Sequence, residues 1–123
     1  MQHALPSEIE PQQTCWCTIQ GSHQSDQRLN IVQFNVGGLS THKLEEIKQW
    51  GLHIQADIIV LLESRWSFSS EWSDGTWHAL HSGTPDDRAD GILVLLRSST
   101  IQEHQIGSAA IIPGRLVHIR LHY

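Results

Sequence analysis

The sequence predicts an α/β fold, a mixed β-sheet with one clear helix, and three segments predict it. Two of them, Ile58–Leu62 and Ile92–Leu96, are uninterrupted apolar runs, which are typical of strands buried on both faces. The third, STHKLEEIKQWGLHI, has apolar residues at helical spacing and stands between a β-rich stretch, RLNIVQFNV, and the Ile58 strand. Strand, helix and strand in this order indicate a βαβ unit within one domain of modest size, as 123 residues allow.

The first 27 residues differ in composition from the rest of the chain. They are rich in Gln, Ser, Pro and Glu and show little periodicity, which predicts a disordered leader or linker over 1–27 and a folded domain over 28–123. The start of the chain lacks the basic and apolar regions of a secretory signal. No apolar run approaches the roughly 18 residues of a membrane span, so we expect no association with a membrane.

The predicted helix and its neighbours have recognisable ends. The first strand ends at Asn35, and the glycine pair that follows permits a sharp change of direction. Ser40 or Thr41 caps the helix, and Gly51 is its predicted end. Trp50 lies on the apolar stripe of this helix, and we expect it to pack in the core.

The later part of the chain predicts further strands. ESRWSFSSEWSDGTW is polar and aromatic and predicts a loop, whereas WHALHS predicts a short strand. GTPDDRAD predicts an acidic loop, so Asp86, Asp87 and Asp90 are expected to be solvated rather than to form a second metal site. In GRLVHIRLHY the apolar residues alternate, with Val117, Ile119 and Leu121 on one face.

The two fully apolar strands require cover on both faces, and one helix cannot supply it. The sequence therefore predicts a missing layer, to be provided by further chain or by a second chain. An uncovered apolar sheet also predicts poor solubility.

Charge and cysteine content narrow the classes of function. The formal net charge is -5, which counts against a stand-alone module that grips duplex DNA through its phosphates, while a nuclease with metal-binding carboxylates stays open. The two cysteines, Cys15 and Cys17, have a spacing that matches none of the usual zinc patterns, even with His3 and His23 nearby. We expect reduced surface thiols. Five scattered histidines are expected to be surface or strand-face residues rather than ligands: His42, His53, His104, His118 and His122.

Four segments resemble a known family. NIVQFNVGGLS, ADIIVLLES, GILVLL and GRLVHIRL, in this order, resemble the opening half of the endonuclease/exonuclease/phosphatase superfamily, and most closely the apurinic-endonuclease-like endonuclease domain of LINE-type retrotransposons. The resemblance covers Arg28 to Tyr123. It implies the N-terminal half of a four-layer α/β sandwich, in which two sheets pack face to face, and an intracellular, nuclear protein that acts on DNA.

The resemblance also implies roles for two residues. Glu63 corresponds to the glutamate that binds the catalytic divalent ion, Mg²⁺ with Mn²⁺ as an alternative, and Asn35 to the asparagine that helps hold the scissile phosphate. The usual Gln before the glutamate is replaced by Leu62, and the usual Thr after it by Ser64. From the residues alone, Glu63 is equally well a strand-end carboxylate paired with Arg65 or with a loop arginine. Asn35 is equally well a turn-forming residue before the glycine pair.

Arg65 and Trp66 follow the glutamate directly. An arginine beside such a site can contact phosphate, and a tryptophan can stack on an exposed base. The alternative is a loop that packs its own tryptophan.

The remaining motifs of the superfamily, Asp-x-Asn and Ser-Asp-His, do not occur in the sequence. The resemblance therefore implies a truncated domain, the N-terminal fragment of a Mg²⁺-dependent DNA-nicking endonuclease that is expected to be inactive by itself. Two alternatives stay open: an inactive remnant that acts as a binding or scaffold module, and a phosphatase relative of the same superfamily.

Overall fold

The computed structural model describes residues 16–22, 29–85 and 90–122. Within these ranges the chain forms eight strands, one α-helix and one 3₁₀ turn. In chain order they are β1 (Trp16–Ser22), β2 (Ile31–Asn35), α1 (Thr41–His53), β3 (Ile58–Leu62), β4 (Ser70–Ser73), β5 (Trp77–Ser82), β6 (Ile92–Arg97), the 3₁₀ turn (Glu103–Gln105), β7 (Ile106–Ile112) and β8 (Leu116–His122).

The strands form two mixed sheets, which confirms the α/β class. The five-stranded sheet has the order β2-β3-β6-β5-β4, with β2 and β3 parallel and the other neighbours antiparallel. The three-stranded sheet has the order β1-β8-β7, with β1 parallel to β8 and β7 antiparallel to it. Because β2 and β3 are parallel neighbours, their carboxyl ends, Asn35 and Leu62, lie side by side.

Successive residues of β3 enter two different hydrophobic cores. Ile59 and Leu61 belong to the core between α1 and the five-stranded sheet, together with Leu44 and Ile47 of the helix. The alternate residues belong to the core between the two sheets, which contains Ile58, Val60, Leu62, Leu80, Ile92, Val94, Leu96, Ile101, Val117, Ile119 and Leu121. This division explains why β3 has no polar face, since both of its faces are inside the protein.

The second layer that the apolar strands require is therefore supplied by the chain itself. Val117, Ile119 and Leu121 of β8 face the five-stranded sheet and are buried, as the alternation in the sequence predicts. The expectation that this cover comes from a second chain or a missing half is wrong for this face of the sheet. On the opposite face of β8, Arg120 and His122 are exposed. The expectation of poor solubility stays a prediction.

β1 lies within the segment for which the sequence predicts a disordered leader. For Trp16–Ser22 that prediction is wrong, because these residues pair with β8 in parallel register, Trp16 opposite Leu116. Cys17 and Ile19 pack against the core between the sheets. Residues 1–15 and 23–28 lie outside the described residues.

The helix begins where the sequence predicts and ends later. Ser40 is the N-cap, and its hydroxyl oxygen accepts a hydrogen bond from the Lys43 backbone N–H at 3.0 Å. Gly51 does not end α1, which continues to His53. A Cβ at Gly51 would collide with Ile59 Cδ1 of the sheet below, so a larger residue would displace that buried side chain. Among the described residues, no helix is long and apolar enough to cross a membrane.

One predicted boundary differs from the structure in the second half of the chain. The segment predicted as one loop after Glu63 contains the short edge strand β4, which pairs with β5.

Trp50 packs as predicted against the core beneath α1, with its ring centroid 5.8 Å from that of Phe34 in an edge-to-face arrangement.

Candidate functional site

Asn35 and Glu63 meet at the carboxyl ends of two adjacent parallel strands. The Asn35 side-chain amide donates a hydrogen bond from Nδ2 to Glu63 Oε2 at 2.5 Å. Both residues are buried, with 2% and 4% of their surface exposed. The other end of the Asn35 amide is fixed as well, because its Oδ1 accepts from the Gly37 backbone N–H at 2.9 Å. The orientation of the amide is thereby set, with the N–H group pointing at the carboxylate.

The backbone around Glu63 is held in a rarely populated conformation. Glu63 and Arg65 both have positive φ, 59° and 65°, which non-glycine residues adopt at a cost of about 1–2 kcal/mol each. Backbone hydrogen bonds from both neighbouring segments hold this turn in place. The N–H groups of Gly38 and Leu39 donate to the carbonyls of Glu63 and Ser64, each at 2.8 Å. Strain that the surroundings enforce in this way is typical of functional positions.

A second set of contacts to this turn comes from the two residues just before β6. Ser64 donates its N–H to the Gly91 carbonyl at 3.0 Å, and Arg65 to the Asp90 carbonyl at 2.8 Å. A Cβ on residue 91 would collide with Ser64 Oγ, so only glycine permits this approach. The turn that carries Glu63 is thus fixed between the segments that follow β2 and precede β6.

Ser64 and His81 form a buried hydrogen bond beneath the same turn. His81 Nδ1 lies 2.7 Å from the Phe68 carbonyl, which can only accept, so Nδ1 carries the hydrogen. Burial lowers the pKa of His81, although the hydrogen bond to Phe68 opposes this, and the ring is therefore neutral. Nε2 then accepts from the Ser64 hydroxyl at 2.7 Å.

This Ser–His pair has the atoms of a nucleophile and its base, but not the access. Ser64 is fully buried, and Gly91 packs directly over its hydroxyl. No substrate can reach that oxygen, and the pair acts as a support for the turn that carries Glu63.

A basic pocket of about 360 Å³ opens beside this turn. It is lined by Lys43 and Arg65, together with Ser40 at the N-terminus of α1. Lys43 is held in place by hydrogen bonds from Nζ to the carbonyls of Gly38 at 3.0 Å and Val36 at 3.4 Å. Two cations and a helix N-terminus favour an anion in this pocket.

A larger aromatic pocket, of about 740 Å³, adjoins the basic one. Leu39, Ser40 and Trp66 line both pockets, which together form one continuous surface that we call the groove. On the aromatic side Phe68 stacks on Trp66, with ring centroids 5.3 Å apart and ring planes 24° apart. Phe68 is 46% exposed.

The two residues predicted to contact DNA, Arg65 and Trp66, differ from each other in exposure and in role. Arg65 is exposed and lines the basic pocket. Trp66 is half-buried, and its indole N–H donates to the Leu39 carbonyl at 2.6 Å, so its ring forms the floor beneath Phe68. Lys43 and Phe68 also line the groove, and neither was predicted from the sequence. Their signals were a lysine in the first turn of the helix and an apolar residue in an otherwise polar loop.

The one cluster of metal-ligand side chains found among the described residues lies elsewhere. Glu71, His78 and Glu103 bring one ligand atom each to within 4.8 Å of one another, so a possible metal-binding triad exists at a place the sequence analysis did not predict. Glu63 is not a member of it. The sequence also raised a zinc site at the two cysteines and a second metal site in the acidic loop. Most residues of these two alternatives lie outside the described residues: Cys15, His3, His23, Asp86 and Asp87.

Two residues of those alternatives are described. Cys17 is half-buried rather than a surface thiol, and burial raises its pKa to about 12, so the thiol stays protonated. Asp90 Oδ1 lies 3.7 Å from Arg115 Nε, which fits a structural ion pair.

No family model, curated protein or solved structure matches the chain. The resemblance to the endonuclease/exonuclease/phosphatase superfamily therefore stays a prediction.

Proposed function

We propose that this chain carries the Asn–Glu half of a Mg²⁺-dependent phosphodiesterase site, of the endonuclease/exonuclease/phosphatase class, that nicks DNA. The observation that supports this best is the contact between Asn35 and Glu63 at the carboxyl ends of adjacent parallel strands. It brings together the two residues to which the resemblance assigns roles, although 28 positions separate them in the chain.

The donor set at this point suits a hard cation. Mg²⁺ takes oxygen ligands, keeps several waters and is often held by only one or two carboxylates, so Glu63 is sufficient as the protein ligand from this half. A carboxylate offers about four lone-pair sites, and one hydrogen bond from Asn35 does not exclude a metal. When bound, the cation would neutralise charge on the phosphate and the leaving oxygen. Asn35 orients the carboxylate and adds no charge that repels the phosphate.

The groove supports DNA as the substrate. Lys43 and Arg65 provide positive charge for a backbone phosphate, and Arg65 follows Glu63 by two positions in the chain. Phe68 provides an exposed ring on which a base can stack. We assign the stacking contact to Phe68, with Trp66 behind it as a rigid support.

The sequence contains neither Asp-x-Asn nor Ser-Asp-His, the motifs that supply the remaining groups of such a site in the superfamily. Without a general base and further phosphate contacts, we expect the chain alone to bind the metal and single-stranded DNA but not to turn over DNA.

The metal assignment is tested by Mn²⁺ binding to the chain saturated with Zn²⁺, which keeps Mn²⁺ from the Glu71, His78 and Glu103 cluster, and binding is followed through the EPR signal of the free ion. Glu63→Gln keeps an oxygen that accepts from Asn35 and removes the charge, so the fold should be retained while affinity falls by about tenfold or more. Glu46→Gln, on the exposed face of α1, is the matched control and should bind as the unaltered chain does. Equal binding by all three chains would contradict the assignment.

The reaction is tested by incubating supercoiled plasmid with the purified chain and Mg²⁺. We expect no nicking. Nicking that disappears in Glu63→Gln would show that the half site is sufficient and would overturn our expectation of inactivity. Nicking that persists in that variant would overturn the role of Glu63.

A second candidate function is binding of single-stranded nucleic acid without cleavage, and the groove favours it. Phe68→Ala should weaken binding of a fluorescent single-stranded oligonucleotide by about fivefold or more, since stacking on an aromatic ring contributes about 1–3 kcal/mol per base. Ile31→Ala is the control, because Ile31 is also an exposed large apolar residue, 48% exposed, at the opposite end of the sheet. Equal losses in both variants would exclude the groove as the binding surface.

A further inference from the structure

Glu71, His78 and Glu103 come from three separate elements. Glu71 lies on the edge strand β4, His78 on the adjacent strand β5, and Glu103 begins the 3₁₀ turn that leads into β7. His78 Nε2 is 3.0 Å from Glu71 Oε2, and His78 Nδ1 is 3.9 Å from Glu103 Oε1. The three side chains thus converge from the edge of the five-stranded sheet and from the turn that precedes β7 of the three-stranded sheet.

The cluster combines one fixed ligand with two adaptable ones. His78 is 4% exposed, and its strand pairs on both sides, opposite Ser73 of β4 and Leu96 of β6, so its ring cannot move far. The side chains of Glu71 and Glu103 are 53% and 71% exposed. They can rotate inward from their present separations to the metal–ligand distances of about 2.0–2.2 Å that zinc requires, and the ion can enter from solvent between them.

Charge favours a divalent cation over a simple ion pair. Two carboxylates carry two negative charges, and a protonated histidine would neutralise only one of them. A divalent ion bound to a neutral imidazole neutralises both. One nitrogen and two oxygens form a donor set that suits zinc and similar transition metals better than Mg²⁺, which prefers oxygen ligands alone.

The cluster is distinct from the Asn35–Glu63 pair. His78 lies opposite Leu96, which lies opposite Ile58, whereas the Glu63 end of the sheet is the level of Leu62. That offset of four residues corresponds to roughly 13 Å along the strands, and two strand spacings add roughly 10 Å across them.

We propose that Glu71, His78 and Glu103 bind one Zn²⁺ ion, which ties the edge hairpin β4–β5 to the 3₁₀ turn before β7. The ion would link the five-stranded sheet to the three-stranded sheet at an edge where β4 has only the short pairing with β5 among the described strands. This proposal does not depend on the proposed phosphodiesterase function.

The test uses the full chain with Cys15→Ser, which removes the C-x-C pair as a competing site. Zn²⁺ binding is measured by calorimetry, and Co²⁺ is used as a spectroscopic probe, because a thiolate ligand would give an intense near-ultraviolet band that imidazole and carboxylate ligands do not. We expect one ion per chain, no thiolate band, and an unfolding midpoint raised by roughly 5 °C with excess zinc.

Glu71→Gln and Glu103→Gln are exposed substitutions that should leave the fold intact and weaken zinc binding by about tenfold or more each. His78→Gln should abolish binding, and the two glutamate variants keep the test decisive if that buried substitution unfolds the chain. His104→Gln, an exposed imidazole beside Glu103, is the control and should bind normally. Binding that is absent, that shows the thiolate band, or that survives both glutamate variants would overturn the proposal.

Discussion

The two ends of the five-stranded sheet carry polar clusters of opposite construction. At the Leu62 end, Asn35, Glu63, Ser64 and His81 are all buried, and side-chain and backbone hydrogen bonds fix each of them. At the other end only His78 is buried, and the two glutamates around it extend into solvent. The first cluster is rigid before any ligand arrives, whereas the second can close around one.

The difference in rigidity matches the cations that we assign. Mg²⁺ demands near-ideal octahedral geometry and tolerates little displacement, which favours a carboxylate fixed in advance. Zinc has no geometric preference from its d-electrons and can be bound by side chains that rotate into place. Substitutions that loosen the rigid end should therefore be costly, and those at the other end mild.

The largest effect is expected for Gly91→Ala. Gly91 has a φ of 114° and packs against Ser64, so a methyl group adds both backbone strain and a collision with Ser64 Oγ. We expect the free energy of unfolding to fall by about 3 kcal/mol in urea denaturation. Gly75→Ala is the control, because Gly75 also has a positive φ, 92°, with no atom within 4 Å of the new methyl group. It should cost only about 1 kcal/mol. Equal losses would mean that the turn at Glu63 is not tightly held.

A pH-dependent loss of stability should arise from the rigid end. Burial lowers the pKa of His81 in the folded protein below its ordinary value of 6.5, so the unfolded chain binds the proton more readily. Neutral His81 therefore makes its full contribution to the free energy of unfolding above about pH 6.5. As the pH falls below that value, this contribution is lost by at most about 1.4 kcal/mol per pH unit. Urea denaturation at a series of pH values between about 7.5 and about 5.5 measures the slope, which is how steeply the free energy of unfolding falls as the pH falls.

His81→Gln should make that slope shallower, whatever its cost at neutral pH. His104→Gln, at an exposed histidine, should leave the slope as it is. An unchanged slope in His81→Gln would contradict the neutral state of the ring and the hydrogen bond from Ser64.

The smallest effect is expected at a third left-handed residue, which lies at the opposite end of the sheet. Gln55 has a φ of 59° in the turn after α1, and its side chain is exposed. Gln55→Gly should raise the free energy of unfolding by about 0.5 kcal/mol, since glycine adopts this conformation without strain. Gln49→Gly, exposed in the middle of α1, should lower it by about 1 kcal/mol. A loss at Gln55 would indicate that its backbone is not strained.

Local patterns were sufficient to predict the centre of the fold. The apolar runs in β3 and β6, the alternation in β8 and the spacing in α1 each reflect burial on a defined face, which a single segment records in its own residues. The positions of Asn35 and Glu63 followed from the ends of those segments. The contact between them followed from the parallel pairing of β2 with β3.

What the sequence did not predict depends on partners far away in the chain. β1 has only Cys17 and Ile19 to mark an inward face, and its pairing with β8 spans about one hundred residues. The cluster around His78 has no motif spacing, because an edge strand and a 3₁₀ turn bring its members together. Gly51 was interpreted as a helix end, although its small size serves close packing against Ile59.

The central claim is that Glu63 is the cation ligand of the rigid end, and NMR with substoichiometric Mn²⁺ tests it most directly. The paramagnetic ion broadens amide signals near its binding site. We predict that signals of residues 35–38 and 62–65 broaden in the unaltered chain saturated with Zn²⁺, and that this broadening disappears in Glu63→Gln. Broadening that persists in Glu63→Gln, or that never reaches these residues, would contradict the claim.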